Sequence, residues 1–400
     1  MSHSVSPADR APARCIPPPA LRPAPPARLA GVDLARGLAV FGMYAAHVGP
    51  DPDDGGRTGA LMELTHGRAS ALFALLAGFS LILLTGRPLP RTGRAGRQAV
   101  GRVLIRSAVL LAVGTVLTMT GTQVEVILAY YGLYFVLALP LHRLKAGALA
   151  ALAAAGALVL PQVLYVVQAS IDDGTWAERA AHHDPLARIS GTDGFVDLFF
   201  TGSYPVLTWM PFVLAGMALA RLDLSSAVVR VRLAVTGCVL AVAGYGTSWV
   251  ALRMLAAGGH PGPPPAAWWS DTAGFPPGDR AGWLLAASPH SETTLSIVGN
   301  TGVAVAALAT CLLVTEALPR SRWLTLPVAS VGRMSLTAYV LNIAGIWVLG
   351  IRKVPGSSLW TLLGFLVAAT GFAMLWSRFF DRGPLEYLLN KTTGAARWIR

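Results

Sequence analysis

Long apolar runs separated by short arginine clusters limit what this chain can fold into more than any other feature. About ten runs fall near residues 32–48, 69–85, 104–120, 124–140, 147–168, 203–220, 233–255, 294–316, 330–350 and 359–377. A helix needs about 20 apolar residues to cross a hydrocarbon core of ~30 Å. Backbone polar groups at that depth must be satisfied internally, which leaves helices or closed barrels. The chain is 54% hydrophobic and 13% charged, against about 25% charged in a soluble domain. The sequence therefore predicts an all-α, polytopic transmembrane helix bundle of about ten spans.

The basic residues orient that bundle. Arg10, Arg14, Arg22 and Arg28 precede the first run, and Arg87, Arg91, Arg94, Arg97 and Arg102 lie between the second and third. Arg143 with Lys145, Arg221 with Arg230 and Arg232, Arg320 with Arg322, and Arg378 with Arg382, Lys391 and Arg397 fall on the same side. Segments 49–66, 169–197 and 256–292, on the opposite side, hold more acids than bases. The positive-inside rule then places both termini in the cytoplasm and the protein in the cell membrane. Arg352 and Lys353, in a short outer loop, run against it.

The formal charge of +12 belongs to these loops rather than to a soluble basic module, so nucleic acid is excluded as a partner. Residues 1–28, rich in Pro, Ala and Arg, read as a disordered cytoplasmic tail. Residues 29–383 form the transmembrane domain, and 384–400, opening on Gly383-Pro384-Leu385-Glu386, an amphipathic cytoplasmic segment. Cys15, Cys238 and Cys311 show no metal-ligand spacing, and no metal is expected.

Ionisable groups inside apolar runs are costly and need a partner, a water-filled cavity or a role. Arg36 and His47 share the first run, eleven residues apart. That is close to three helical turns, so they lie on one face about 16 Å apart. Asp33 and Arg36 sit on adjacent turns. Two readings stand for Arg36: an arginine snorkelling to the inner headgroups, or a cationic site for a phosphate-bearing donor. His47 is an interfacial histidine or a general base at the outer mouth of a path. His66 and Arg68 open the second run, and His290 precedes the eighth, all on the outer side. Arg333 opens the ninth run as an inner anchor or a second donor contact.

Four segments carry a resemblance: Val32-Asp33-Leu34-Ala35-Arg36-Gly37; Gly67-Arg68-Ala69-Ser70-Ala71-Leu72-Phe73 with Gly78; Val331-Gly332-Arg333-Met334-Ser335-Leu336-Thr337-Ala338-Tyr339; and Gly383-Pro384-Leu385-Glu386. The chain resembles the heparan-alpha-glucosaminide N-acetyltransferase catalytic-domain family and the related YeiB-like membrane proteins. The resemblance implies an integral membrane acyltransferase taking an acyl group, acetyl above all, from cytoplasmic acyl-CoA. The acceptor is a hydroxyl or amine, a small molecule or glycan, at the outer face.

His47 and His66 are then the expected catalytic residues, and Arg36 and Arg333 hold the donor. Asp33, Arg68 and His290 contact substrate, with Arg68 or helix termini stabilising the oxyanion. In the heparan enzymes the catalytic histidine follows the first helix in a His-Ala-x-Trp setting; this chain lacks that tetrapeptide, and His66 takes its place by location. The partners expected are the bilayer, the acceptor and a second copy in a homodimer. A transporter, with the same Arg and His lining a path and no covalent chemistry, is the rival class.

Overall fold

The computed structural model describes residues 30–172, 176–270, 281–317 and 322–399. The expected tail, with Cys15, lies outside them. The described residues contain helices and no strand. In order these are α1 (Ala30–Val48), α2 (Gly56–Glu63), α3 (Arg68–Thr85), α4 (Gly93–Met119), α5 (Ile127–Ala138), α6 (Ala146–Asp172), α7 (Trp176–His183) and α8 (Pro185–Ser190). Then follow α9 (Val206–Ala220), α10 (Ala227–Ala257), α11 (Thr294–Ala317), α12 (Arg322–Arg333), α13 (Ser335–Val348), α14 (Leu359–Trp376) and α15 (Pro384–Thr393).

Each of the expected spans overlaps one of these helices, but not all are bilayer-length. Six stretches are long and apolar enough to cross a membrane: Gly56–Thr85, α4, α6 to Ile171, α10, α11 and α14. The bent pair Trp323–Arg333 and Ser335–Val348 makes a seventh if taken as one span. α5 and α9 are shorter, with 12 and 15 residues. Most of their residues are buried against other helices, so protein rather than lipid sets their length. α1 has 19 residues and carries Asp33 and Arg36 in its first two turns and His47 in its last.

α1 is the hub, packed against α3, α11, α12, α13 and α14. In lipid, helices associate by close packing, which small residues permit. A Cβ on Gly332 would collide with the Asp33 carbonyl oxygen, and one on Gly37 with that of Val328, so α12 lies directly on α1. Gly78 and Gly216 do the same between α3 and α9.

The region near Arg333 differs from expectation. Arg333 ends α12 instead of opening a span, and the chain turns by 79° before α13 begins. The reason lies in a distant segment. Glu386 of α15 accepts hydrogen bonds from the backbone N–H groups of Leu336 (2.7 Å) and Thr337 (3.1 Å) and from the Thr337 hydroxyl (2.6 Å). A carboxylate thus satisfies the orphan donors of a new helix start. The C-terminal segment is tied further to α4, where the Gln98 side-chain amide donates to the Arg397 carbonyl (3.1 Å).

On the other side the expected 169–197 loop contains α7 and α8, with Asp184 capping α8 through Leu186 N–H (2.8 Å). Within 256–292, Ala267 and Ala286 pack on Leu252 of α10. Residues 271–280 lie outside the described residues.

The α1–α12 contact yields a test. Gly332→Leu is expected to destabilise the detergent-purified protein by about 2 kcal/mol, the typical size of core overpacking. Gly364→Leu, where the added carbons meet open space, is expected to leave the melting temperature unchanged. Equal melting of the two variants would contradict this packing.

Candidate acyl-transfer site

Close packing at Gly332 delivers Arg333 to the N-terminal end of α1. Asp33 Oδ1 pairs with Arg36 Nη1 at 3.3 Å, one turn along the helix, and Asp33 Oδ2 faces Arg333 Nε at 3.7 Å. The other arm of Arg36 donates to Ser80 Oγ of α3 at 2.7 Å. Three residues expected to meet the donor or substrate, from opposite ends of the sequence, thus form one cluster.

Two spaces meet at that cluster. A vestibule of about 800 Å³ is walled by Arg36, Arg87, Arg91, Arg221 and Arg333, against Asp33 and Asp223. Its rim is fixed by Arg221, which donates to the carbonyls of Gly86 (2.7 Å), Pro88 (2.8 Å) and His142. Arg87 donates to the Leu222 carbonyl at 2.9 Å. A deeper chamber of about 250 Å³ shares Arg36, Leu83 and Arg333 with the vestibule. It is lined along α3 from Leu84 back to Phe73, a rise of about 16 Å. Arg106, Tyr131 and Glu386 also line it.

At the other end of α1, His47 is 9% exposed, and its Nδ1 lies 2.7 Å from Asn342 Oδ1 of α13. An amide oxygen only accepts, so in this orientation Nδ1 carries the proton and Nε2 keeps its lone pair. The Tyr339 ring meets His47 edge-on at 6.3 Å. The Tyr339 hydroxyl accepts from Ile127 N–H at 3.2 Å and donates to the Glu125 carbonyl at 3.4 Å.

His66, Arg68 and His290 gather in a second cluster, toward the other end of α1. His66 is buried at the turn into α3, whose Thr65 packs near Gly42 of α1. Arg68 makes four hydrogen bonds, to the carbonyls of Glu63, His66 and Trp269 and to the Tyr245 hydroxyl. Its guanidinium also lies 3.8 Å from the centre of the Trp269 ring. Most of its five N–H donors are therefore spent on fastening the outer segment to α3 and α10, the geometry of a clamp rather than of an oxyanion donor. His290 Nδ1 lies 2.9 Å from the Ser203 carbonyl, and its ring stacks on Trp209.

Sequence reasoning missed Glu292. It is buried in this cluster, accepting from Trp209 Nε1 at 2.9 Å and from the Thr208 hydroxyl. His290 and Glu292 both have φ of 55°, a left-handed conformation that non-glycine residues rarely adopt outside sites held by their surroundings. Arg106 was also missed, although an arginine inside an apolar run is itself a signal. Tyr131 carried no signal at all. Among the described residues no group of three His, Cys, Asp or Glu side chains could hold a metal ion.

Burial pushes the Glu292 carboxyl from its ordinary 4.5 up to about 7. The folded state then holds that proton more tightly than the unfolded state. Its contribution is full below pH 4.5 and is lost as pH rises through about 7. The melting temperature is expected to fall over that interval, and Glu292→Gln to flatten the slope. An unchanged slope in the variant would contradict this assignment.

The model of the heparan-alpha-glucosaminide N-acetyltransferase catalytic domain matches residues 28–247, more than half of the chain. The model of a family of proteins of unknown function, DUF418, matches residues 278–396. No curated protein and no solved structure matches. The first match covers α1, with Asp33, Arg36 and His47, together with His66 and Arg68; the second covers His290, Arg333 and Glu386. A bundle of apolar helices with these matches is a membrane protein of acetyltransferase type, and the chain belongs to the family of heparan-alpha-glucosaminide N-acetyltransferase catalytic domains, with a YeiB-like C-terminal part.

Proposed function

We propose that the protein is a cell-membrane acyltransferase that moves an acetyl group from cytoplasmic acetyl-CoA to a hydroxyl or amine acceptor, of the sugar class, at the outer face. The observation that carries the proposal is the arrangement along α1. An arginine-walled vestibule stands at one end, and a histidine with a free ring nitrogen for proton transfer stands about 16 Å away on the same face. A bundle of about ten spans with both termini inside puts the vestibule in the cytoplasm. The positive-inside bias supports that orientation.

The chemistry follows from the groups present. Guanidiniums are suited to phosphate oxygens, which they meet with two parallel N–H donors. Arg36 and Arg333, with Arg87, Arg91 and Arg221 around them, hold the nucleotide phosphates in the vestibule. The thin thioester arm enters the chamber toward His47. His47 Nε2 takes a proton from the acceptor, whose nitrogen or oxygen bonds to the acyl carbon. The C–S bond then breaks, and the proton passes to the departing thiolate, leaving free CoA. His66 supports the same step from the neighbouring turn. Asp33 keeps the two donor-binding arginines in place, and His290 faces the acceptor.

Donor binding and transfer are separable by mutation. Arg36→Ala is expected to weaken acetyl-CoA binding about tenfold or more, the size of one lost charge-assisted contact, with Arg36→Lys restoring it in part. His47→Ala is expected to bind donor normally and lose about 10²–10⁴-fold in transfer rate, the usual effect of a lost acid–base catalyst. Calorimetric binding to the purified protein and an acetyl-transfer assay read the two effects. Wild-type donor affinity in Arg36→Ala would remove the phosphate role, and full transfer in both His47→Ala and His66→Ala would remove the histidine mechanism.

A further inference from the structure

The chamber has two unlike halves. Its lower half is charged, with Arg36, Arg333 and Glu386. Its upper half is lined by Phe73, Leu76, Leu110, Leu128, Tyr131 and Phe135. Arg106 also lines the chamber, its guanidinium carbon 5.9 Å from the centre of the Phe135 ring, and Tyr131 brings a hydroxyl to the same wall. Tyr131 is 4% exposed, and its hydroxyl has no hydrogen-bond partner. An unsatisfied buried hydroxyl typically costs about 1–3 kcal/mol, a cost that a ligand acceptor reaching Tyr131 from the chamber would remove.

We infer that the upper chamber is the acyl-thioester subsite, and that Tyr131 donates a hydrogen bond to the thioester carbonyl oxygen. The inference rests on the donor reading above and adds to it the position of the reacting carbonyl. Helical side chains lean toward the helix N-terminus, so the Tyr131 hydroxyl leans toward Ile127, one turn nearer the outer face. Ile127 N–H donates to the Tyr339 hydroxyl, and the Tyr339 ring abuts His47. The donor therefore stands one helical turn and one ring below the proposed base. Because it binds nothing in the protein, it loses no bond when the carbonyl oxygen arrives. Attack by the acceptor turns that carbonyl into an alkoxide, which a fixed hydrogen-bond donor stabilises. The alkoxide collapses with loss of the thiolate, and the tyrosine keeps its proton throughout. Arg68, committed to protein carbonyls, is unsuited to that part.

Phe73 stacks on Tyr131 with ring centres 5.4 Å apart and planes at 14°. Both rings line the chamber, and a stack so placed limits the subsite to a short acyl chain.

The test compares CoA, acetyl-CoA and octanoyl-CoA on the purified full chain by calorimetry. Wild type is expected to prefer acetyl-CoA over CoA and to bind octanoyl-CoA poorly. Tyr131→Phe keeps the ring stack and removes only the hydroxyl. It is expected to bind CoA like wild type while losing acetyl-CoA affinity about tenfold, to the level of CoA, as for one lost hydrogen bond. Phe73→Ala is expected to gain octanoyl-CoA binding by about tenfold or more, through the volume of a removed ring. A Tyr131→Phe protein that keeps the full preference for acetyl-CoA, or that loses CoA and acetyl-CoA equally, would overturn the Tyr131 assignment while leaving the donor site standing. Good octanoyl-CoA binding by wild type would overturn the short-chain subsite. Absence of binding of CoA and acetyl-CoA to wild type would instead overturn the donor reading itself.

Discussion

Asp33 sits at 4% exposure between two guanidiniums, and the end of the bundle that holds the start of α1 is organised around it. A buried carboxylate needs partners, because desolvation of an isolated charge outweighs most other local terms. Arg36 supplies one from the same helix, and Arg333 supplies the other from 300 residues away in sequence. The second partnership needs α12 to touch α1 at backbone distance, which glycine at 332 permits. One ion cluster therefore fixes the register of α12 on α1 and aims both arginines at the vestibule. Removing the carboxylate would leave two cations facing each other, so Asp33 is read as a positioning residue for the donor arginines.

The break at Met334 follows from the same constraint. α12 meets α1 at Asp33 and Gly37 and so brings Arg333 in, whereas α13 meets α1 further along, at Tyr44 and His47. The chain turns by 79°, and the freed N–H groups of Leu336 and Thr337 are taken up by Glu386. Glu386 also lines the chamber beside Arg106. The C-terminal helix thus closes one wall of the proposed donor site rather than simply resting on the membrane surface.

Much of this arrangement was legible in the residues. Apolar runs located the helices, and the helical period put Arg36 and His47 on one face of α1. Local rules could not show that α5 and α9 are shortened by burial among other helices, since run length reports apolarity and not what surrounds it. Nor could they show that Arg68 is spent on Glu63, His66 and Trp269, because those partners are assembled by the tertiary fold. Arg333 looked like a span opening since the apolar run continues through it, and the carboxylate that splits the run lies some 50 residues later. Arg106 was readable in principle as a cation within an apolar run. Tyr131 was not, because only the closed chamber shows that its hydroxyl has no partner.

The two ends of α1 pose opposite electrostatic problems, and the bundle solves them separately. At the N-terminal end, five arginines against two aspartates leave an excess of positive charge that a polyanionic ligand would neutralise. At the other end, His47 meets the Asn342 amide and the edge of the Tyr339 ring, with His66 near it. Between them the chamber wall is largely apolar and carries the Phe73–Tyr131 stack. Such a lining suits a thioester, which must meet an acceptor before it meets water. It also explains why the charged groups of α1 lie at its ends while the intervening Leu38 to Ala46 stretch carries none.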